Sequence, residues 1–321
     1  MRLVLVLLLT VAAAAKDRIA YIEFYGCRGL DVDAIRKALP VHEGDRLARD
    51  SKSRIHEAVE RLTGRAPEVE KFCCVGDGDQ WIAIGLRAEH RQFYRAARAG
   101  GAQVSATLAK LYDAMDKAEE AAIEKGSAEE EMGAGYRLSK DPAARAAELA
   151  VRDYALGHEE ELLGVLKSAA NAGQRSIAAD VLGYGRVTPQ QTAALVEAAR
   201  DPDDTVRNNA SRALGEMAEA DAAVAARIPP DAFIDMLRFG GATDLNKSTM
   251  VLVELTRSRD PRLLARLKSE AWEPLLEMAS WRMTGWAADP RTIACRIQGV
   301  PEDRVIELAF GPVQAFLEAI R

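Results

Sequence analysis

Past residue 15, this chain of 321 residues has no uninterrupted apolar run approaching the roughly 20 residues that a membrane-spanning helix needs. No transmembrane segment is expected beyond that point. Histidine is scarce as well. The four present, His42, His56, His90 and His158, stand at no metal-ligand spacing from one another or from a cysteine. His158-Glu159-Glu160-Glu161 starts like a zinc-protease helix but lacks the second histidine four residues after the first. Gly76-Asp77-Gly78-Asp79 lacks the length and the distal glutamate of a calcium loop, and fits a hairpin turn instead. No Gly-x-Ser-x-Gly elbow occurs, and Gly183 and Gly185 come after a helical pattern, where they cap a helix and do not cradle phosphate. These absences leave no residue to nominate as catalytic, cofactor-binding or metal-ligating. The expectation is a non-catalytic chain that needs no cofactor.

Cysteine is equally sparse, and Cys27, Cys73, Cys74 and Cys295 fit no metal pattern. Neighbouring residues of a strand point to opposite faces, so at most one of Cys73 and Cys74 can meet Cys27. Two readings stay open: buried free thiols, or one disulfide between Cys27 and Cys73.

What the chain does have at its start is one basic residue, Arg2, an apolar stretch from Leu3 to Leu9, and small residues from Ala12 to Ala15. That pattern is a secretory signal peptide over residues 1–15, because the run is too short for an anchor. The expected location is outside the cytoplasm, in a periplasm or secreted, where disulfides can form. The net charge of -6 becomes more negative when Arg2 leaves with the signal, which argues against nucleic acid as a partner.

The 48% hydrophobic content suffices for a packed core, and the length leaves room for two domains. Residues 17–88 have mixed periodicity. Arg18 to Tyr25 alternates as a half-buried strand, with Ala20, Ile22 and Phe24 on one side. Asp31 can cap a short helix carrying Val32, Ile35 and Leu39 up to Pro40. Asp50 or Ser51 caps a second, whose Ile55, Val59 and Leu62 form a stripe ending at Gly64. Two strands, Val69 to Val75 and Trp81 to Leu86, flank the Gly-Asp turn. This order resembles the POTRA domain, through the Ile22-Glu23-Phe24-Tyr25-Gly26 strand end, the Leu39-Pro40-Val41-His42-Glu43-Gly44-Asp45 turn and the hairpin carrying Trp81-Ile82-Ala83-Ile84. No barrel strands come after it. The resemblance implies a docking module that accepts an extended peptide beside an exposed strand edge. The other reading is a small α+β cap shielding the first helix of a helical array.

Residues 89–138 read as a helical linker or cap. Val104, Leu108, Leu111, Met115 and Ala118 recur at helical spacing. Glu129 to Glu131 read as ordinary exposed charge, with an acidic docking patch as the alternative. From residue 139 to 321 shorter helices repeat. Ala143 to Gly157, Gln174 to Gly185 and Val206 to Met217 are alanine-rich and each carries a Leu-Gly pair. Glu160 to Ala169 and Thr188 to Arg200, the latter opened by Thr188-Pro189 as cap and first helical residue, lie between them, and Ile228 to Phe239 with Leu245 to Arg257 make a further pair. After Asp260-Pro261 the pattern degrades around Trp272, Trp281 and Trp286, read as a terminal cap, with an aromatic binding surface as the alternative.

Asp201-Pro202-Asp203-Asp204-Thr205-Val206-Arg207 is the sharpest motif. It resembles the HEAT repeat family, which pairs a turn aspartate with Val-Arg at the start of a second helix. The resemblance implies that Asp201 or Asp203, Val206 and Arg207 belong to a structural ladder between repeats, in a mostly α chain folded as an α-α superhelical solenoid. Its implied role is to hold protein partners of the cell envelope on the helical surface. The alternatives are an accessory subunit of an outer-membrane or secretion assembly, implied by the POTRA resemblance alone, and a HEAT-like enzyme or enzyme regulator with a dispersed site.

Overall fold

A computed structural model describes residues 18–75, 79–87, 93–96, 99–127, 129–131 and 133–321. The expected signal peptide and the turn at 76–78 lie outside the described residues. No helix among those described is long and apolar enough to cross a membrane. The fold is mostly helical with a small strand content, and it divides into two compact units.

Within its described residues, the first unit holds the chain up to Glu23 and Leu30–Ile84. Its elements are β1 (Ile19–Tyr25), α1 (Val32–Ala38), α2 (Ser51–Thr63), β2 (Glu68–Val75) and β3 (Asp79–Gly85). The sheet order is β1-β3-β2, so β3 is central and β2 has a strand on one side alone among the described residues. The backbone N–H of Gln80 donates to Arg18 O and that of Leu86 to Tyr25 O, so β1 and β3 run in parallel. Asp31 caps α1 by accepting from Ala34 N at 3.0 Å, and Gly64 ends α2 in the left-handed region at φ 68°. Ile55 and Val59 are buried as expected, but Leu62 is exposed. It sits in the last turn, where Thr63 Oγ1 donates to Val59 O and Gly64 reverses the chain.

The second unit takes in Phe24–Gly29 and Gly85–Arg321. Strict alternation in β1 breaks there: Phe24 and Tyr25 are both buried. Trp281 Nε1 donates to Phe24 O at 2.9 Å and its ring lies 6.5 Å from that of Tyr25, so Trp281 packs on this segment. α3 (Ala106–Glu124) starts at Ser105, whose hydroxyl accepts from Leu108 N. β4 (Glu130–Glu131) pairs antiparallel with β5 (Leu138–Ser139). Then come α4 (Pro142–Gly157), α5 (Glu159–Ser168), α6 (Ala172–Gly183), α7 (Pro189–Ala198), α8 (Asp204–Ala220) and a short α9 (Ala222–Ala225). α10 (Asp231–Phe239), α11 (Ala242–Leu255), α12 (Pro261–Glu270), α13 (Trp272–Ala279), α14 (Thr284–Ile297), α15 (Glu302–Phe310) and α16 (Val313–Ala319) complete the chain.

The helices alternate in role. α5 packs on α6, α7 on α8, α10 on α11 and α13 on α14, while the second members stack in series, α6 on α8, α8 on α11 and α11 on α14. Thr188 and Gln191 form the capping box of α7. The Leu-Gly pairs have a steric reason in two cases. A Cβ on Gly183 would stand 3.0 Å from Ala213 Cβ, and one on Gly215 would stand 3.0 Å from Met250 Cγ. Gly157 has open space beside it. Gly183→Val should therefore cost about 1–3 kcal/mol of stability by overpacking, and Gly157→Ala should cost none; urea denaturation of the two variants checks this. Beyond Pro261 the chain keeps a packed helical core, with Cys295, Val305, Leu308 and Phe316 buried and Trp272 packed against them.

Candidate functional site

The ladder residues fix the spacing of the second helices. Arg207 leaves α8 and pairs with Asp244 of α11 through two hydrogen bonds of 2.7 Å, both side chains no more than 5% exposed. Arg175 of α6 pairs in the same way with Asp201, at 2.7 Å twice. Each arginine also donates to the carbonyls of its preceding turn, Ala169 and Ala170 for Arg175, Asp201 and Pro202 for Arg207. Asp201 and Arg207 thus sit in successive rungs, each joining one hairpin to the next. Asp201 belongs to Arg175, and Asp203 accepts from Thr205 N and Val206 N as the N-cap of α8. Val206 is buried. The sequence signal for Arg175 and Asp244 was weak because neither sits in a string like Asp201-Pro202-Asp203-Asp204-Thr205-Val206-Arg207. In the last hairpins Arg291 donates instead to the carbonyls of Ala279, Ala309, Gly311 and Trp281, with no carboxylate partner among the described residues.

The pairing of Cys27 with Cys73 is not formed. Cys27 and Cys295 are buried, and neither is in a disulfide. Cys73 is disulfide-bonded, but not to Cys27 or Cys295. His158 stacks on Tyr154 at 3.8 Å and Nδ1 lies 2.8 Å from Tyr154 O, which is a packing role.

The face that the second helices share carries ionisable groups that the sequence did not single out. Near α3 and α6, Arg137 Nε donates to Tyr184 Oη and Nη1 to Glu119, both at 2.9 Å, and Nη2 lies 3.6 Å from Asp180. Asp180 accepts from Tyr112 Oη at 2.9 Å. Burial alone would favour a neutral Arg137, but Asp180, Tyr184 and Glu119 outweigh it and hold the guanidinium charged. Burial raises both phenols above their ordinary value, so they stay protonated. Glu130 of β4, expected as ordinary exposed charge, instead pairs with Arg212 of α8.

Further along the same face, Arg212, Glu216 and Glu219 of α8, Lys247 of α11 and Asp289 of α14 lie within electrostatic reach of one another. Burial pushes the Lys247 ammonium down to about 8, aided by Arg212. Burial likewise pushes the Asp289 carboxyl up to about 6, and raises that of Glu216. The native state therefore holds the Asp289 proton more tightly than the unfolded chain, so its contribution favours folding at low pH and is lost as pH rises to about 6. Asp289→Asn should match wild-type stability near pH 4 and exceed it by about 1–2 kcal/mol near pH 7.5, measured by chemical denaturation at both values.

No group of histidine, cysteine and carboxylate side chains among the described residues is placed to hold a metal ion. No family model matches the chain, and no curated protein matches it.

Proposed function

We propose that the protein is a non-catalytic interaction scaffold of the bacterial cell envelope, exported by its N-terminal signal, with a POTRA-like first unit and a HEAT-like helical second unit. One observation carries this reading. Between α2 and the β2 and β3 strands of the first unit runs a groove of about 620 Å³, and β2 is an edge strand of that sheet among the described residues. Leu47, Ile55, Val69 and Ile82 make it apolar, and Arg49, Lys52 and Lys71 make it basic. A strand at a sheet edge supplies backbone donors and acceptors to an extended peptide, and the adjoining groove takes its alternate side chains. The ladder of buried Arg–Asp pairs supports the second half of the reading, since it spaces successive helices.

The groove is testable directly. A tagged wild-type chain and a Lys52→Glu/Lys71→Glu variant are purified from the envelope under the same conditions. The wild type is expected to retain a protein that the variant loses while its circular dichroism is unchanged. The same set of proteins on both, or none on either, would overturn the assignment of the groove.

A further inference from the structure

We infer that the face shared by α8, α11 and α14 receives a basic side chain, lysine or arginine, carried on an extended segment of a partner protein. This rests on the scaffold reading above and names the partner chemistry of one of its surfaces.

The side chain of Glu216 is 3% exposed, one of its oxygens stands 4.0 Å from Arg212 Nε, and the other has no hydrogen-bond partner among the described residues. A buried carboxylate oxygen without a donor is costly, and a donor brought from outside recovers that cost. Arg212 does not supply it, because its terminal nitrogen is turned to Glu130. Glu219, on the next turn of α8, and Asp289, on α14, are half-buried and form no ion pair within 4 Å among the described residues. Lys247 projects from the intervening helix and likewise forms none among them.

Charge decides what fits. Glu130, Glu216, Glu219 and Asp289 face Arg212 and Lys247, so the cluster is left with excess negative charge. Ammonium and guanidinium groups are donors without acceptors, and carry the sign that this surplus attracts. An acidic ligand would meet carboxylates that already lack partners. Of the other charges in reach, Arg137 and Arg296 are committed to Glu119 and Glu302, Glu254 pairs with Arg257, and Glu148 accepts from Ser139 N.

Titration of the same groups gives binding a direction with pH. Asp289 loses its proton near pH 6 and Lys247 near pH 8. Each loss makes the face more negative, so affinity for a cation rises across that interval.

The test uses the intact protein and a fluorescein-labelled peptide of alternating lysine and glycine, with an aspartate–glycine peptide as control, read by fluorescence anisotropy at low salt. The basic peptide is expected to bind, with affinity rising about tenfold between pH 6 and pH 8, and the acidic one is not. Glu216→Gln and Asp289→Asn should each weaken binding about tenfold. Lys247→Gln removes the competing cation and should tighten it, a gain that misfolding does not produce. Binding of the acidic peptide, indifference to Glu216→Gln and Asp289→Asn, or loss of binding in Lys247→Gln would overturn the inference. Displacement of the peptide by an equal charge of spermidine would overturn its assignment to a protein segment. If the basic peptide fails while an envelope protein is still captured at the β2 groove, this inference falls and the scaffold reading stands.

Discussion

An Arg207→Glu variant is expected to lose about 3–5 kcal/mol of unfolding free energy, because it leaves buried charge without its partner. Arg207 and Asp244 exclude water from a two-point ion pair, and the same guanidinium donates to Asp201 O and Pro202 O. Tyr94 and Phe93 lie over it, with ring centroids 4.5 and 5.4 Å away. Glutamate would set a second carboxylate beside Asp244 and strand two carbonyls. Urea denaturation reads the loss. Unchanged stability would mean that the pair does not join α8 to α11. The pairing itself is isolated by Arg207→Met/Asp244→Leu, which should recover most of the loss, since apolar isosteres often replace a buried ion pair at little net cost.

Leu214→Asp is expected to be at least as damaging. Leu214 is fully buried on α8, the helix that packs on both α6 and α11. Leu214→Ala removes packing and should cost about 2–5 kcal/mol. Aspartate adds an unpaired charge to that loss, so the difference between the two variants measures the charge alone. The loss also depends on pH. Burial raises the carboxyl's folded pKa, so the variant should regain stability as pH falls, and the alanine variant should not. Equal melting of Leu214→Asp and wild type would remove α8 from the stacked core.

How much of this was legible in the sequence depends on whether the signal was local. Caps were: Asp31, Thr188 and Gly64 act through their own neighbours. The Val-Arg motif marked Arg207 as a ladder residue, but its partner was out of reach. The rungs span 26 residues from Arg175 to Asp201 and 37 from Arg207 to Asp244, since α9 and the Pro229-Pro230 turn lengthen the second. No fixed repeat offset locates Asp244. The ionisable face was missed for a different reason. Arg212, Glu216 and Glu219 sit at i, i+4 and i+7, the spacing of an ordinary solvated helix face. Stacking of α11 against α8, and α14 against α11, is what removes water from it. Glu130 was misread because a two-residue strand has no period to detect.

The central claim is that partners dock at the β2 edge and on the face of the second helices. The measurement that meets it most directly places a photo-crosslinking amino acid in the full chain, in cells, at Lys71 beside the groove, at Asp289 on the helical face, and at exposed Phe310 as a control. The account predicts crosslinks to discrete envelope proteins from Lys71 and Asp289 and none from Phe310. A folded chain that yields no crosslink from either surface, or the same smear from all three positions, would contradict it.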